Sequence, residues 1–166
     1  MKKVIFAICV LGLMAYTPLS AQKMGHVNSQ EILFAMPATK AMQGQLEKMK
    51  AEYDAALESM VTEYEALEQD LVQNGGNLQK AIYETKLADL QSKGMRIQEF
   101  EYKAQEELMN KKDELTVPII DQAKKAIQDV AKEKGYTYVF DTSTGALIHY
   151  PPSDDITALV KTKLGI

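Results

Sequence analysis

The sequence predicts a mainly α-helical protein with a small β body, from which a long antiparallel helical hairpin projects. Two observations predict the hairpin. Apolar residues recur at intervals of three and four on both sides of residues 74–77, and the two apolar seams can be aligned about that turn. A third observation predicts the body, because short runs rich in β-forming residues lie towards both ends of the chain. We therefore expect the helical arm at 38–117 and the body at 22–37 and 118–166.

The seams define the expected register of the hairpin. The ascending seam comprises Met42, Leu46, Met49, Tyr53, Leu57, Met60, Tyr64, Leu67 and Leu71. The descending seam comprises Tyr83, Leu87, Leu90, Gly94, Ile97, Glu101, Ala104 and Leu108. A turn between Gly75 and Gly76 would pair residues whose numbers add to about 151, because both helices rise equally per residue. Residues 74–77 are of types that tolerate left-handed backbone angles. Gly94 would then face Leu57, either as a close-packing position or as a hinge.

Residues 1–21 have the three regions of a secretory signal. Lys2 and Lys3 precede an apolar run from 4 to 15, which is too short to span a bilayer, and a small residue follows at Ala21. We expect cleavage after Ala21 and export, with an uncleaved membrane anchor as the alternative. Because Cys9 is the single cysteine, the expected mature chain has none and cannot be stabilised by disulfides.

The expected mature chain is acidic, with 17 Lys and Arg against 23 Asp and Glu. The arm holds 10 of the basic and 16 of the acidic residues, so the whole excess of −6 lies on it. Since a nucleic-acid backbone repels an acidic surface, a nucleic-acid partner is not expected.

The body is expected to contain three strands, at 24–28, 136–140 and 146–150, with the last two forming a β-hairpin. Ser29 is expected to cap a short helix at 30–36, and Ser153 or Asp154 a final helix at 155–164. Pro118 should bend the descending helix where the arm joins the body. So small a sheet is marginal alone, which favours association of several copies.

No catalytic set, cofactor site or metal site is expected. The two histidines, His26 and His149, could be combined with Asp141 as metal ligands, but no further ligand has helpful spacing. A place on the strand surface or in an interface is therefore favoured for both.

Apolar residues outside the seam are the candidate binding surface. Met95, Tyr102 and Met109 recur every seven residues, one position past the seam. The full candidate set is Val61, Val72, Met95, Phe100, Tyr102 and Met109. Exposed apolar rows need a partner, and the flexible thioether of methionine adapts to many shapes. Two interpretations stay open: contact with a bound client protein, or packing of the arm against a neighbour.

The order of elements resembles the Skp/OmpH family of periplasmic chaperones. The most specific part is "VAKEKGY" at 130–136, followed by "VFD" at 139–141 and "DIT" at 155–157. The resemblance implies a periplasmic homotrimer whose β-sheet body carries three helical arms around a cavity. In that cavity such chaperones hold unfolded outer-membrane proteins without ATP. We expect Val27, Val139, Ile148 and Tyr150 in the trimer body.

The chain departs from the basic members of that family, because its arm is acidic and has no cluster of cations. This difference argues against transferring lipopolysaccharide binding to it. The alternative function is a structural coiled-coil adaptor or spacer of the cell envelope, which would have one fixed partner where a holdase chaperone has many.

Overall fold

The computed structural model describes residues 22–166, so the expected secretory signal at 1–21 lies outside the described part. The described chain is mainly helical and contains a two-stranded sheet, which confirms that part of the predicted fold class. The elements in order are β1 Met24–Val27, α1 Ser29–Ala35, α2 Pro37–Asn74, a 3-10 turn Gly75–Asn77, α3 Lys80–Lys134, β2 Tyr138–Asp141, a 3-10 turn Pro152–Asp154 and α4 Thr157–Leu164.

Helices α2 and α3 lie side by side and antiparallel, because residues near the end of one contact residues near the start of the other. Gly94 faces the Tyr64 ring, with Cε2 3.5 Å from the position that a Cβ would take. At the other end of the pair, the Thr116 hydroxyl donates to Met42 Sδ at 3.4 Å. The numbers of facing residues thus add to about seven more than the seams predicted. The expected register, including Gly94 opposite Leu57, is wrong.

The turn between α2 and α3 explains why the predicted register is wrong. The 3-10 turn is closed by Leu78 N–H donating to Gly75 O at 3.2 Å, and Leu78 and Gln79 are both extended before α3 begins. The centre of the turn therefore lies a few residues after Gly75 and Gly76. Gly75 has a φ of −55°, and the positive φ values of the described chain are at Gly135, Gly145 and Gly165, so the turn does not use the left-handed backbone that its residues tolerate.

The sheet pairs β1 and β2 in parallel, with Met24 beside Tyr138 and Val27 beside Asp141. The expected β-hairpin is wrong, because residues 146–150 form no strand and β2 pairs with β1. The chain after β2 crosses to the other edge of β1, where Ile156 N–H donates to His26 O at 2.9 Å. His26 also forms an isolated parallel bridge with Asp155. β1 is thus flanked on both sides.

The caps of the short helices differ from those predicted. Asn28 caps α1 by accepting the Glu31 N–H at 3.0 Å, which frees the Ser29 hydroxyl to donate to Asp141 at 2.5 Å. α4 starts two residues later than expected, and the Asp155 carboxylate accepts the Thr157 N–H at 2.8 Å. Pro37 opens α2 at a position where a missing N–H costs nothing, and α3 continues through Pro118.

The buried core lies at the two ends of the described chain. It comprises Val27, Ile32, Met36, Ile119, Ala123, Ala126, Val130, Ile156 and Val160. None of residues 40–118 is buried, since a pair of helices covers only one stripe of each. The sheet packs closely here: a Cβ on Gly25 would lie 2.8 Å from Tyr136 Cε1. Among residues 22–166, no helix has the length and apolar character needed to cross a membrane.

Candidate functional site

An exposed apolar row on α3 is the candidate site. It consists of Met95, Tyr102 and Met109, which are 65%, 68% and 64% exposed; we call it the α3 row. A spacing of seven residues is nearly two helical turns, so the side chains lie on one face about 10 Å apart. The row is therefore a strip roughly 20 Å long.

The α3 row lies outside the contact between the helices. Its neighbours Ala104 and Leu108 are half-buried, and so is Ile97. The Met109 end opens onto a shallow apolar depression of about 340 Å³, lined also by Leu46 and Leu108. Three apolar side chains thus remain in water although the helix pair buries the seam beside them. The row is therefore a candidate surface for binding a partner.

The borders of the α3 row differ in charge. Helix geometry places Gln98 and Gln105 along one side, and Glu99 and Glu106 along the other. Lys103 lies within 2.6 Å of a Glu99 oxygen and partly neutralises the acidic border. The hydrogen bond from Lys103 holds the pKa of the Glu99 carboxyl below its ordinary value, so Glu99 stays ionised. An apolar segment can approach the row from its neutral, glutamine side without desolvating a carboxylate.

The other candidate binding residues do not join the row. Phe100 is half-buried and sets its ring edge-on against Tyr53 of α2, with centroids 5.9 Å apart, so it packs within the helix pair. Val61 is half-buried on α2, and Val72, 80% exposed, lies close to the turn. The structure therefore brings three of the six predicted residues together.

Sequence reasoning missed a second exposed group near the turn. Ile82, Tyr83 and Leu87 in the first turns of α3 are all exposed, and with Val72 they make the free end of the arm apolar. The predicted register places Tyr83 and Leu87 inside the seam. Ile82 was the available signal, because it is an apolar residue just outside the seam and close to the turn.

Charged contacts link the two helices of the arm. Lys93 Nζ lies 2.8 Å from a Glu63 oxygen, and Lys86 pairs with Asp70. These hydrogen bonds from lysine lower the pKa values of the Glu63 and Asp70 carboxyls. Nearer the body, the Tyr53 hydroxyl donates to Glu107. Exposed pairs of this kind contribute little to stability, about 0 to 1 kcal/mol each.

The four residues expected in the trimer body occupy different environments. Val27 is buried in the core, and Val139 is half-buried on β2. Ile148 is 99% exposed, in a segment that forms no strand. The Tyr150 ring lies 4.4 Å from the His26 ring, centroid to centroid.

His26 has a structural position. It is buried, its Nε2 lies 2.9 Å from Pro151 O, and its Nδ1 has no partner among the described residues. The ring thus holds the segment before α4 against β1. Within residues 22–166, no three His, Cys, Asp or Glu side chains gather as a metal site would require.

Comparison with known proteins identifies the family of this chain. The model of the family described as "Outer membrane protein (OmpH-like)" matches residues 23–164. The chain belongs to this OmpH-like family. The resemblance seen in the sequence is thereby confirmed. No curated protein sequence matches the chain.

A solved structure has the same fold as this OmpH-like protein. It is a crystal structure from Caulobacter crescentus CB15, described as a candidate outer membrane chaperone (OmpH-like). The TM-score is 0.78 over 87% of this chain and 85% of that one, at 19% sequence identity.

Proposed function

We propose that this OmpH-like protein is a periplasmic holdase chaperone that sequesters unfolded outer-membrane proteins. The observation that carries the proposal is the α3 row, three apolar side chains exposed on a helix whose seam is already covered. Membership of the OmpH-like family and the description of the Caulobacter crescentus structure support the same role.

An exposed apolar row is suited to binding unfolded client proteins. Each side chain moved from water into an apolar contact contributes up to roughly 1.5 to 3 kcal/mol, although a mobile client realises only part of this. Methionine accepts many contact shapes, so the row can bind different segments without reading their sequence. No covalent step is needed, and the proposed action requires neither ATP nor a metal.

Assembly as a homotrimer is part of the proposal. Three arms that project from one body would surround a volume, and the α3 rows would supply weak contacts at several points of it. Many weak contacts hold an unfolded chain more firmly than one contact, because release requires all of them to break together.

The test replaces Met95, Tyr102 and Met109 together by glutamine. We expect the triple variant to keep its helicity and its oligomeric mass but to suppress aggregation of a urea-unfolded β-barrel protein less well. The comparison is made by light scattering at about 1 M salt, where the screening length of about 3 Å removes long-range effects of the acidic arm. The matched control replaces Gln91, Gln98 and Gln105, the adjacent row at the same spacing, by alanine.

The outcomes separate the proposal from its rivals. Unchanged protection by the triple variant would contradict a client-binding role for the α3 row. Loss of helicity or of oligomeric mass would show that the row packs the arm against a neighbour. A wild-type protein that protects no unrelated β-barrel client would point to the structural adaptor with one fixed partner.

A further inference from the structure

Two rows of acidic residues run along α2 at the same spacing. The first row is exposed along much of its length, and we call it the open acidic row: Glu47, Glu58 and Glu65. The second row begins five residues later, and we call it the paired acidic row: Glu52, Glu63 and Asp70. The steps within each row are 11 and seven residues, close to whole numbers of helical turns, so each row keeps to one face of α2. Five residues correspond to about 140° round the helix, so the two rows lie on different faces.

The two acidic rows differ in their partners. Each carboxylate of the paired acidic row has a lysine beside it; the pairs are Lys48 with Glu52, Lys93 with Glu63 and Lys86 with Asp70. In the described part of the chain, no basic side chain forms an ion pair with the open acidic row. The open acidic row is therefore a line of negative charge, about 27 Å long, that its own chain leaves uncompensated.

The open acidic row and the α3 row lie on the same face of the helix pair. Glu47 and Met109 line one depression of about 340 Å³. Lys50 and Lys112 also line it, and Lys50 Nζ lies 2.5 Å from an oxygen of Asp54. Lys112 is thus the cation that offsets Glu47 at this end of the face. The excess of negative charge lies farther along the arm, towards the turn.

Glu58 and Glu65 carry that excess beside the rest of the α3 row. Because each row keeps to one face of its helix, the members that follow Glu47 stay on the side of the pair that Met109 marks. In the observed register, Tyr102 lies level with about residue 56 of α2, and Met95 with about residue 63. A segment that covers the α3 row therefore passes about one helix width, about 10 Å, from both carboxylates.

A neutral strip separates the two rows. Gln105 lines a depression together with Asp54 of α2, so the glutamine side of the α3 row is the side that faces α2. Gln98, seven residues earlier, continues the strip along α3. Apolar side chains can therefore cover the α3 row while the carboxylates of the open acidic row stay in water, which avoids the cost of desolvating them.

Lysine and arginine suit the charge beyond the strip. Each carries its charge at the end of a long apolar stem, so the stem can lie on apolar surface while the charged end reaches a carboxylate. An acidic segment would meet like charges at the same place. The arm of a second copy would bring its own open acidic row, so packing of two copies through this face is disfavoured as well. The face thus fits an apolar segment that also carries positive charge.

We propose that the face formed by the α3 row and the open acidic row selects cationic apolar segments of unfolded client proteins. Glu58 and Glu65 are the main specificity-determining residues, and the α3 row supplies the apolar contact. The inference rests on the proposed holdase function and names the class of segment that the holdase prefers. Charge complementarity of this kind chooses among partners more than it adds affinity.

Binding of two fluorescent, unstructured peptides tests the selection. They share their length and apolar residues, and one has lysine at each position where the other has glutamine. At about 0.05 M salt we expect wild type to bind the lysine peptide about tenfold more tightly, because a few exposed charge pairs of ordinary strength supply that factor. At about 1 M salt the screening length is about 3 Å, so the two affinities should converge. Fluorescence anisotropy measures both.

A matched pair of variants assigns the preference to its row. Amides at all three positions of the open acidic row should lower the affinity for the lysine peptide about tenfold, to that for the glutamine peptide. The control places amides at all three positions of the paired acidic row, which changes the net charge equally at the same spacing, and it should keep the preference. The triple glutamine variant of the α3 row should weaken the binding of both peptides.

The possible failures differ in what they overturn. Equal loss of the preference in the two amide variants would show that the net charge of the arm attracts cations, and the inference would be wrong. Equal affinities of wild type for the two peptides at low salt would also refute it, while the holdase function would stand. A wild-type protein that binds neither peptide and protects no unfolded β-barrel protein would refute the proposed function together with the inference.

Discussion

Gly94 is a residue whose environment decides what its replacement does. Glycine inside a helix costs about 1 kcal/mol relative to alanine. A Cβ at position 94 would lie 3.5 Å from Tyr64 Cε2, which is an ordinary van der Waals distance. We therefore expect Gly94→Ala to raise the free energy of unfolding by up to about 1 kcal/mol, measured by urea denaturation.

Gly44→Ala is the matched control for that prediction, because a Cβ there would meet nothing within 4 Å. The change in stability of Gly44→Ala therefore measures the effect of helix propensity alone. The difference between the two variants measures the fit against Tyr64. A destabilised Gly94→Ala beside a stabilised Gly44→Ala would show that the helices need glycine for close approach.

Asp141 links the sheet to the start of α1. Burial alone would raise the pKa of its carboxyl, but hydrogen bonds from the Ser29 hydroxyl and from the Ser143 and Ser29 amides outweigh it. The pKa therefore lies below its ordinary value. A carboxyl with a lowered pKa in the folded state stabilises the fold above about pH 3.9, its unfolded value, and loses this contribution as the pH falls through the folded value.

We expect Asp141→Asn to be less stable than wild type at pH 7, with the difference shrinking below about pH 3.9. The midpoints of urea denaturation of wild type and variant at pH 7, 4 and 3 measure this difference in stability. Asp121→Asn, at an exposed position on α3, should leave the midpoint at pH 7 unchanged. A wild-type-to-variant difference that grows on acidification would contradict the account.

At the scale of the helices, the sequence predicts the seam but not the register. Moving α3 by seven residues along α2 is a shift of nearly two turns, so every seam position lands close to another seam position. Tyr64 meets Gly94 in place of Leu87, and the apolar pattern is equally satisfied. The observed register goes with the 3-10 turn and with pairs such as Lys93 with Glu63, neither of which apolar periodicity describes.

Disulfides can measure this register. Met60 and Ile97 line the same depression between the helices, so Met60→Cys with Ile97→Cys should form a bond within one chain. Met60→Cys with Leu90→Cys follows the register that the seams predicted. This second pair should form no disulfide, because a shift of seven residues displaces the partner by about 10 Å, beyond the reach of the bond. Efficient oxidation of the second pair and not the first would contradict the observed register.

At the scale of the molecule, sequence reasoning succeeds where the signal is local. Helical periodicity and β propensity predicted a mainly helical chain with a small sheet. The partner of β2 could not be predicted, because the choice between β1 and residues 146–150 depends on contacts between distant residues, such as His26 with Pro151. The α3 row was predictable from its spacing on one helix. The exposure of Tyr83 and Leu87 was not, because it follows from the register; Ile82, just outside the seam, was the one signal of the second exposed group.

The distribution of buried residues predicts that the body folds without most of the arm. All of them lie at 25–39 or 119–160, and none between 40 and 118. In the observed register residue 45 faces about residue 113, so removal of residues 46–112 leaves two helical stubs of matched length. A four-residue Gly/Ser linker reaches about 13 Å, enough to join helix axes about 10 Å apart.

We expect this deletion variant to melt cooperatively and to sediment as an oligomer of the shortened chain, while losing protection of unfolded β-barrel proteins because the α3 row is gone. Removal of residues 53–105, whose ends face each other in the same register, serves as the control for the position of the cut and should assemble equally. An unfolded product would show that the core depends on the arm. A folded, monodisperse monomer would show that the body does not join the copies, and would transfer that role to the helices.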